Sequence, residues 1–468
     1  MKHSPPPQGA TLEWPRSRSE QTLLAILALL VVAGFLFGGS ATDRPVGFAS
    51  VSILAAAALA AGLWRLGRTP GRHDVLALGL CAALVALPIL QLTPLPSEIW
   101  SRLPGRDLAI ASAKLVGAEG AVHGLTLAPA KTLEAVGWLL APIAMFIGVM
   151  SIGHRSRRWL VGLYLAISMI GVVVGLYEMY LGPGYTLLPY EFVNAGLPTG
   201  FFANRNHQAS SLAVALVLAA GAAHRTDGVR SRSGLSPRYI FLALAALFAA
   251  GILATLSRAG VILLALAVVA AAMLLARDPL RQRLGSGTTN WLLALAVALV
   301  ALLALGLQPV LARFDSASTE TRFEFWPPLA EAAASFWPLG SGLGTFRSVA
   351  DAALPVELLT PSYVNEAHNE YLQLWLEAGV AFPLLFIGFI AWLVRQGLGS
   401  GREDGTGRDG LFWMSMVAIG LLLLHSFADY PLRTPAMAVS FGFLCGLLTK
   451  PPRRTSKPGT PSRASTGA

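Results

Sequence analysis

A histidine at the mouth of an apolar run is the residue of this chain best placed to do chemistry. His368 lies in the run Glu366-Ala-His-Asn-Glu-Tyr-Leu-Gln-Leu-Trp-Leu-Glu377, near the end of Phe314 to Val380, the longest polar interval in an otherwise greasy sequence. Long loops on a rigid scaffold are where reactive side chains collect, and imidazole is the side chain that titrates nearest neutral pH. The i, i+3, i+4, i+7 spacing of His368, Tyr371, Leu372 and Trp375 predicts one helical face, with the imidazole above an aromatic stripe.

Three further stretches carry candidate groups. Gly200-Phe-Phe-Ala-Asn-Arg-Asn-His-Gln208 packs Asn204, Arg205, Asn206 and His207 into a helix start, where either asparagine is also an ordinary N-cap. Leu256-Ser-Arg-Ala-Gly260 leaves Arg258 in a tight turn between two apolar helices, either snorkelling or binding an anion. Thr321-Arg-Phe-Glu-Phe-Trp326 opens an amphipathic helix, and Gly340, Gly342 and Gly344 follow in a stretch that permits close backbone approach or exposes amides to an anion. That glycine pattern matches neither a P-loop nor a dinucleotide fingerprint. Asp315, Glu320, Glu324, Asp351 and Glu357 are scattered, so no metal site is expected.

The elements that must position these groups are membrane helices. With 54% hydrophobic and only 13% charged residues, the 468-residue chain reads as an all-α polytopic membrane protein. Twelve apolar segments are predicted: Gln21–Gly38, Val46–Trp64, Val75–Leu92, Glu134–Ile152, Trp159–Leu181, Ala209–Ala223, Tyr239–Leu256, Val261–Ala276, Trp291–Leu307, Leu374–Val394, Leu411–Leu424 and Pro435–Leu448. Placing the N-terminus inside puts 24 of the 35 Lys and Arg on the inner side, so the net charge of +10 reads as a topology signal and no nucleic-acid partner is needed. The first segment reads as a retained helix rather than a signal peptide, because eleven more follow. Cys81 and Cys445 fall in apolar runs and predict no disulfide framework.

The resulting organisation is a disordered cytoplasmic terminus (1–20), nine helices (21–308), a large periplasmic loop (309–373), three helices (374–449) and a disordered cytoplasmic tail (450–468). The spans hold almost no ionisable residues, and Glu134, Glu178 and Glu377 lie near outer ends. Ion-coupled carriers place charges near the midplane, so this pattern favours chemistry at the outer face. A transporter stays open as an alternative, because unwound helices also bind ions through carbonyls. A flippase would need a cationic cavity, and a scaffold would not need Arg258, Arg322 and His368 on one side.

Taken in order, the patterns at Gly200–Asn206, Ser257–Gly260, Arg322–Trp326, Pro338–Phe346 and His368–Leu372 resemble those of the O-antigen ligase and O-antigen polymerase superfamily of bacterial envelopes. His425-Ser-Phe-Ala-Asp-Tyr-Pro-Leu432 is similar to a segment of the same group, and the ligase-like region runs over about 195–430. The resemblance implies a multi-pass glycosyltransferase of the bacterial inner membrane with its active site facing the periplasm. It would move a glycan from undecaprenyl diphosphate to an acceptor hydroxyl on another glycan or on lipid A-core, among membrane lipids and without metal or cofactor. It further implies His368 as general base, Arg258, Arg322 and Arg205 as diphosphate-binding groups, and Asn204, Asn206, His207, Tyr371 and Trp375 as substrate-lining residues. The motifs favour ligase-like transfer, with an O-antigen or exopolysaccharide polymerase as the alternative.

Overall fold

The computed structural model describes residues 17–41, 45–68, 74–182, 188, 190, 194, 196–226, 236–276, 321–358, 364–399 and 410–452, without the side chains of Pro45, Ala276, Thr321 and Arg322. The predicted segment Trp291–Leu307, the first part of the 309–373 interval and most of both predicted tails lie outside the described residues.

The helices follow in the order α1 (Arg18–Phe37), α2 (Pro45–Leu66), α3 (Val75–Gln91), α4 (Ser97–Trp100), α5 (Asp107–Leu115), α6 (Pro129–Met150), α7 (His154–Leu181) and α8 (Arg205–Arg225). The second half continues with α9 (Pro237–Ala254), α10 (Arg258–Ala276), α11 (Thr321–Ser335), α12 (Phe346–Ala353), α13 (Glu370–Ala378), α14 (Ala381–Leu398), α15 (Gly410–His425) and α16 (Pro435–Leu447). A two-stranded antiparallel ribbon, β1 (Pro94–Leu95) with β2 (His123–Gly124), pairs Pro94 with Gly124 and Leu95 with His123. Among the described residues seven helices, α1, α2, α6, α7, α9, α10 and α14, are long and apolar enough to cross a membrane, and α3, α15 and α16 are shorter apolar helices.

The protein is therefore a mostly helical, polytopic membrane protein, and its centre is α8. Every residue of that helix from His207 to Ala223 is buried, among α9, α15, α10 and α7. The run Ala-Ser-Ser-Leu-Ala-Val-Ala-Leu-Val-Leu-Ala-Ala-Gly-Ala-Ala has no polar face, so the helix can be satisfied only by packing on all sides. Its small side chains let neighbouring backbones approach, which is how membrane helices associate without a hydrophobic driving force.

The bundle has two distinguishable ends. At one, Glu20 at the start of α1 pairs with Arg65 at the end of α2 (3.5 Å) and accepts from Gly153 N before α7, while buried Arg157 donates to the carbonyl of Thr449 (2.6 Å). The start of α1, the end of α2, the approach to α7 and the end of α16 thus meet at this end. At the other end Gly39 donates to the Tyr190 hydroxyl, Ala203 to Gly39 O and Ala436 to Gly38 O, so the first turn is tied to the approach to α8 and the start of α16.

Two expectations are corrected. The terminus assigned to 1–20 already turns helical at Arg18. The apolar segment Leu374–Val394 is not one helix: α13 ends at Gly379, which has φ +54°, and α14 starts two residues later. Val380 N donates to Pro338 O (2.8 Å), and a Cβ on Gly379 would lie 2.1 Å from that same oxygen, so only glycine lets the chain turn under the 338–342 backbone. The polar interval is itself folded. Leu329, Ala333, Phe336, Phe346, Val349, Ala350, Leu354, Ala367 and Leu376 form a second small core separate from that of the bundle.

Candidate active site

The site forms where four chain segments meet at one end of the bundle. Asn204 is the N-cap of α8 and accepts from Asn206 N (2.8 Å), so for this residue the capping reading holds. Asn206, in the first turn, bridges two other segments. Its amide nitrogen donates to Asp429 Oδ2 (2.7 Å), and its amide oxygen accepts from Ser257 Oγ (2.7 Å). Ser257 in turn caps α10 by accepting from Gly260 N (2.9 Å), after the turn residue Leu256 at φ +51°. The Asn-Arg-Asn-His and Ser-Arg-Ala-Gly turns are thus locked together, with Arg258 half-buried directly after the shared serine.

His368 precedes α13 instead of lying within it, and it holds φ +51°. The predicted helical face shared with Tyr371, Leu372 and Trp375 is therefore corrected: Asn369 is the N-cap, accepting from Tyr371 N and Leu372 N (both 3.1 Å). A left-handed backbone at a non-glycine residue is uncommon and costs energy that the surroundings must hold in place. Here they do so through Trp326 Nε1 to Ala367 O (3.1 Å), Ala367 N to Gln373 Oε1 (3.0 Å) and Glu370 N to Ser426 O (2.9 Å).

That stitching aims the imidazole at the segment between α15 and α16. His368 Nδ1 lies 3.3 Å from Asp429 Oδ1, and its ring packs edge-on against Tyr430 with centroids 4.8 Å apart. The same oxygen is 3.5 Å from His207 Nε2 and accepts from Tyr430 N (2.9 Å), while His425 Nε2 stands 3.8 Å from Oδ2. His425 Nδ1 meets Ser210 Oγ at 2.6 Å. Burial opposes ionisation of Asp429, but the hydrogen bonds and charge of His207 and His368 outweigh it and hold the carboxyl well below the usual carboxylate range. The side chains of Asp429 and His207 are each 1% exposed, whereas that of His368 is 20% exposed, so of these two imidazoles His368 is the one that reaches the surface.

The carboxylate facing Nδ1 selects the tautomer with Nδ1–H, leaving the Nε2 lone pair free to accept a proton from outside. Such an arrangement can accept a proton at Nε2. His207, expected to line substrate, is instead buried beneath Asp429 and packs edge-on against Tyr430. Arg205, half-buried, donates its amide to Asn194 Oδ1 (3.0 Å) at the head of α8. Arg322 lies at the start of α11, one turn before Trp326, and its side chain is outside the described residues. Tyr371 and Trp375 line a groove of about 740 Å³ with Trp337, Leu372, Phe382 and Pro383, beside Asn369. The Tyr371 hydroxyl donates to Leu423 O (2.6 Å).

The amides of Gly340 and Gly342 are spent inside the fold and not offered to an anion. Gly340 N donates to Phe336 O and Gly342 N to Glu377 O, and a Cβ on Gly342 would lie 2.0 Å from Thr126 Oγ1. The glycines are there for close approach, tying the 126–132 segment to α13. Among the described residues no group of three His, Cys, Asp or Glu is arranged to hold a metal ion.

Asp429, Ser210 and the role of His425 escaped residue-level reading. The available signal was an aspartate four residues after a histidine at the foot of an apolar run, inside the segment already noted at His425–Leu432. Residues 243–393 match the family model described as O-antigen ligase, and no curated protein matches the chain. The matched part runs from α9 into α14, about a third of the chain; the Asn206, His207 and Asp429 contributions lie outside it. Arg258 and His368 thus lie in the part of the chain that is similar to the O-antigen ligase family, a likeness that supports a ligase- or polymerase-like membrane enzyme of polysaccharide assembly.

Proposed function

We propose that the protein transfers a glycan from undecaprenyl diphosphate to an acceptor hydroxyl at the periplasmic face of the bacterial inner membrane. The observation that carries this reading is His368: a part-exposed imidazole backed by a buried carboxylate, within the O-antigen ligase match. In the reaction, Nε2 of His368 takes the proton of the acceptor hydroxyl as its oxygen bonds to the anomeric carbon. The bond from that carbon to the diphosphate breaks, and its electron pair leaves on the phosphate oxygen. A single displacement of this kind inverts the anomeric centre.

Negative charge grows on the departing diphosphate, and guanidinium groups suit it because their planar donors match phosphate oxygens. Arg258, fixed behind the Ser257 cap, and Arg322 are assigned this role, with Arg205 as a third. They would replace the divalent ion that many diphosphate-using transferases need, so purified protein is expected to keep its activity in EDTA, and loss restored by Mg²⁺ would contradict the assignment. The apolar groove under Tyr371 and Trp375 suits a lipid-anchored substrate entering beside His368.

Twelve spans with both termini in the cytoplasm and 309–373 outside complete the reading. Reporter fusions at Arg230 and Ala350 are expected to report inside and outside; the same side for both would refute the topology. Ligase-like transfer is favoured by the family match. Deleting the gene in its host is then expected to leave long polymer on undecaprenyl diphosphate and bare acceptor. Acceptors capped with a single repeat would instead assign it as a polymerase.

A further inference from the structure

One carboxylate oxygen serves two imidazoles. Asp429 Oδ1 is approached by His368 Nδ1 at 3.3 Å and by His207 Nε2 at 3.5 Å, while Oδ2 is held by the Asn206 amide at 2.7 Å. His207 is 1% exposed, and its Nε2 faces Asp429 Oδ1 at 3.5 Å. A lone pair on Nε2 would face the lone pairs of the carboxylate, so Nε2 carries the proton and the nearest acceptor for it is Asp429. We propose that His207 is a positioning residue that sets the basicity of His368 through the shared Oδ1 of Asp429.

The two imidazoles compete for one charge. A proton on His368 is stabilised by Asp429 in proportion to how much of the carboxylate's charge is unspent. An N–H from His207 at the same oxygen withdraws part of it, and a charged His207 withdraws more, so the sign is the same for either charge state. Removing His207 leaves Asp429 to His368 and makes the imidazolium at 368 easier to form. His207 is buried in α8, outside the surface that His368 reaches, so it acts only through the carboxylate. The other titratable or charged groups around the cluster are His425 on α15, Tyr430 and Arg433 after it, Glu366 and Glu370 beside His368, Arg205 on α8 and Arg258 on α10.

The inference rests on the reading of His368 as the base, and its test needs no glycan. Full-length protein in lipid nanodiscs is treated with diethyl pyrocarbonate, which acylates only unprotonated imidazole, and the rate of His368 modification is followed by peptide mass spectrometry from pH 4.5 to 8.5. His207→Leu removes the N–H, and His207→Asn, too short to reach Oδ1, removes it while keeping a polar group should the leucine variant fail to fold. Either is expected to raise the pH midpoint of His368 modification by about half a unit or more. His207→Gln, which returns an N–H to Oδ1, is expected to bring the midpoint back towards wild type, a rescue that a merely structural role would not produce. A folded His207→Leu or His207→Asn protein that titrates as wild type, or a glutamine variant that moves as far as the asparagine one, overturns the proposal. Absence of glycan transfer in wild type would count against the proposed function alone.

Discussion

Two buried carboxylates of this protein are satisfied in different ways. Glu377, fully buried at the end of α13, pairs with Arg433 (3.0 Å) and accepts from Phe346 N (3.3 Å), while its carbonyl takes hydrogen bonds from Gly342 N and Gln91 Nε2 (both 3.0 Å). Each of those partners is a permanent donor, and together they close the glycine stretch, α3, α13 and the turn before α16 into one block. Asp429, equally buried, accepts from Asn206 Nδ2 and Tyr430 N but also faces the imidazoles of His207, His368 and His425, and one of them reaches the surface. A strut saturates its acceptors with donors that cannot titrate; a reaction centre keeps proton positions open. On the proposed reading the glutamate holds the site, and the aspartate operates it.

The largest expected effect lies on the operating side. His368→Ala should lower glycan transfer by ~10²- to 10⁴-fold at unchanged protein level, the usual cost of losing a general base. Wild-type transfer by a well-expressed variant would end that role. Glu377→Ala should act on the other axis and destabilise the fold by about 1–3 kcal/mol, because it takes the acceptor from the half-buried Arg433 guanidinium and from Phe346 N. Thermal unfolding in detergent checks this, and a transfer defect in a fully stable Glu377→Ala protein would erase the contrast.

Arg258→Ala and Arg322→Ala should each cost ~10²- to 10³-fold in transfer, with lysine restoring only part where both donors of the planar fork are used. Full rescue by lysine would mean that point charge alone suffices.

A smaller effect separates the two clusters by pH. Burial pushes the Glu370 carboxyl up to about 8, with Arg433 and the Leu432 amide opposing the shift only in part. Since the unfolded chain releases this proton near the ordinary value of 4.5, the folded state binds more protons between about 4.5 and 8. The stabilisation is complete below that window and is lost as the pH rises through it. Glu370→Gln stays neutral throughout, so its thermal stability should match wild type near pH 5 and exceed it near pH 8. Parallel pH profiles for the two proteins would contradict this reading of Glu370.

The parts of this architecture that could be read from sequence are those set by local pattern. Apolar runs such as Val46–Trp64 have one physical solution, and the turns at Asn204–His207 and Ser257–Gly260 declare themselves by capping chemistry. His368 was legible as a polar group left at the edge of an apolar run. What stayed hidden depends on contacts distant in the chain. The break at Gly379 follows from Pro338 O pressing on it, which hydropathy does not register. The orientation of His368 follows from its positive φ and from Asp429, 61 positions later, which in sequence resembles an ordinary solvated helix end. His207 passed for a substrate-lining residue because its neighbours at the head of α8 are polar, whereas the fold turns its ring inward under the carboxylate.

The central claim is that His368 and Asp429 act as one unit, and a double-mutant cycle on glycan transfer tests it most directly. His368→Gln, Asp429→Asn and the double variant are compared as full-length proteins in nanodiscs with an undecaprenyl-diphosphate-linked glycan as donor. If Asp429 works only through the imidazole, the double variant should be no more than a few-fold slower than His368→Gln alone. Losses that multiply across the two sites would show that the carboxylate and the histidine act independently, and the proposed base would have to be reassigned.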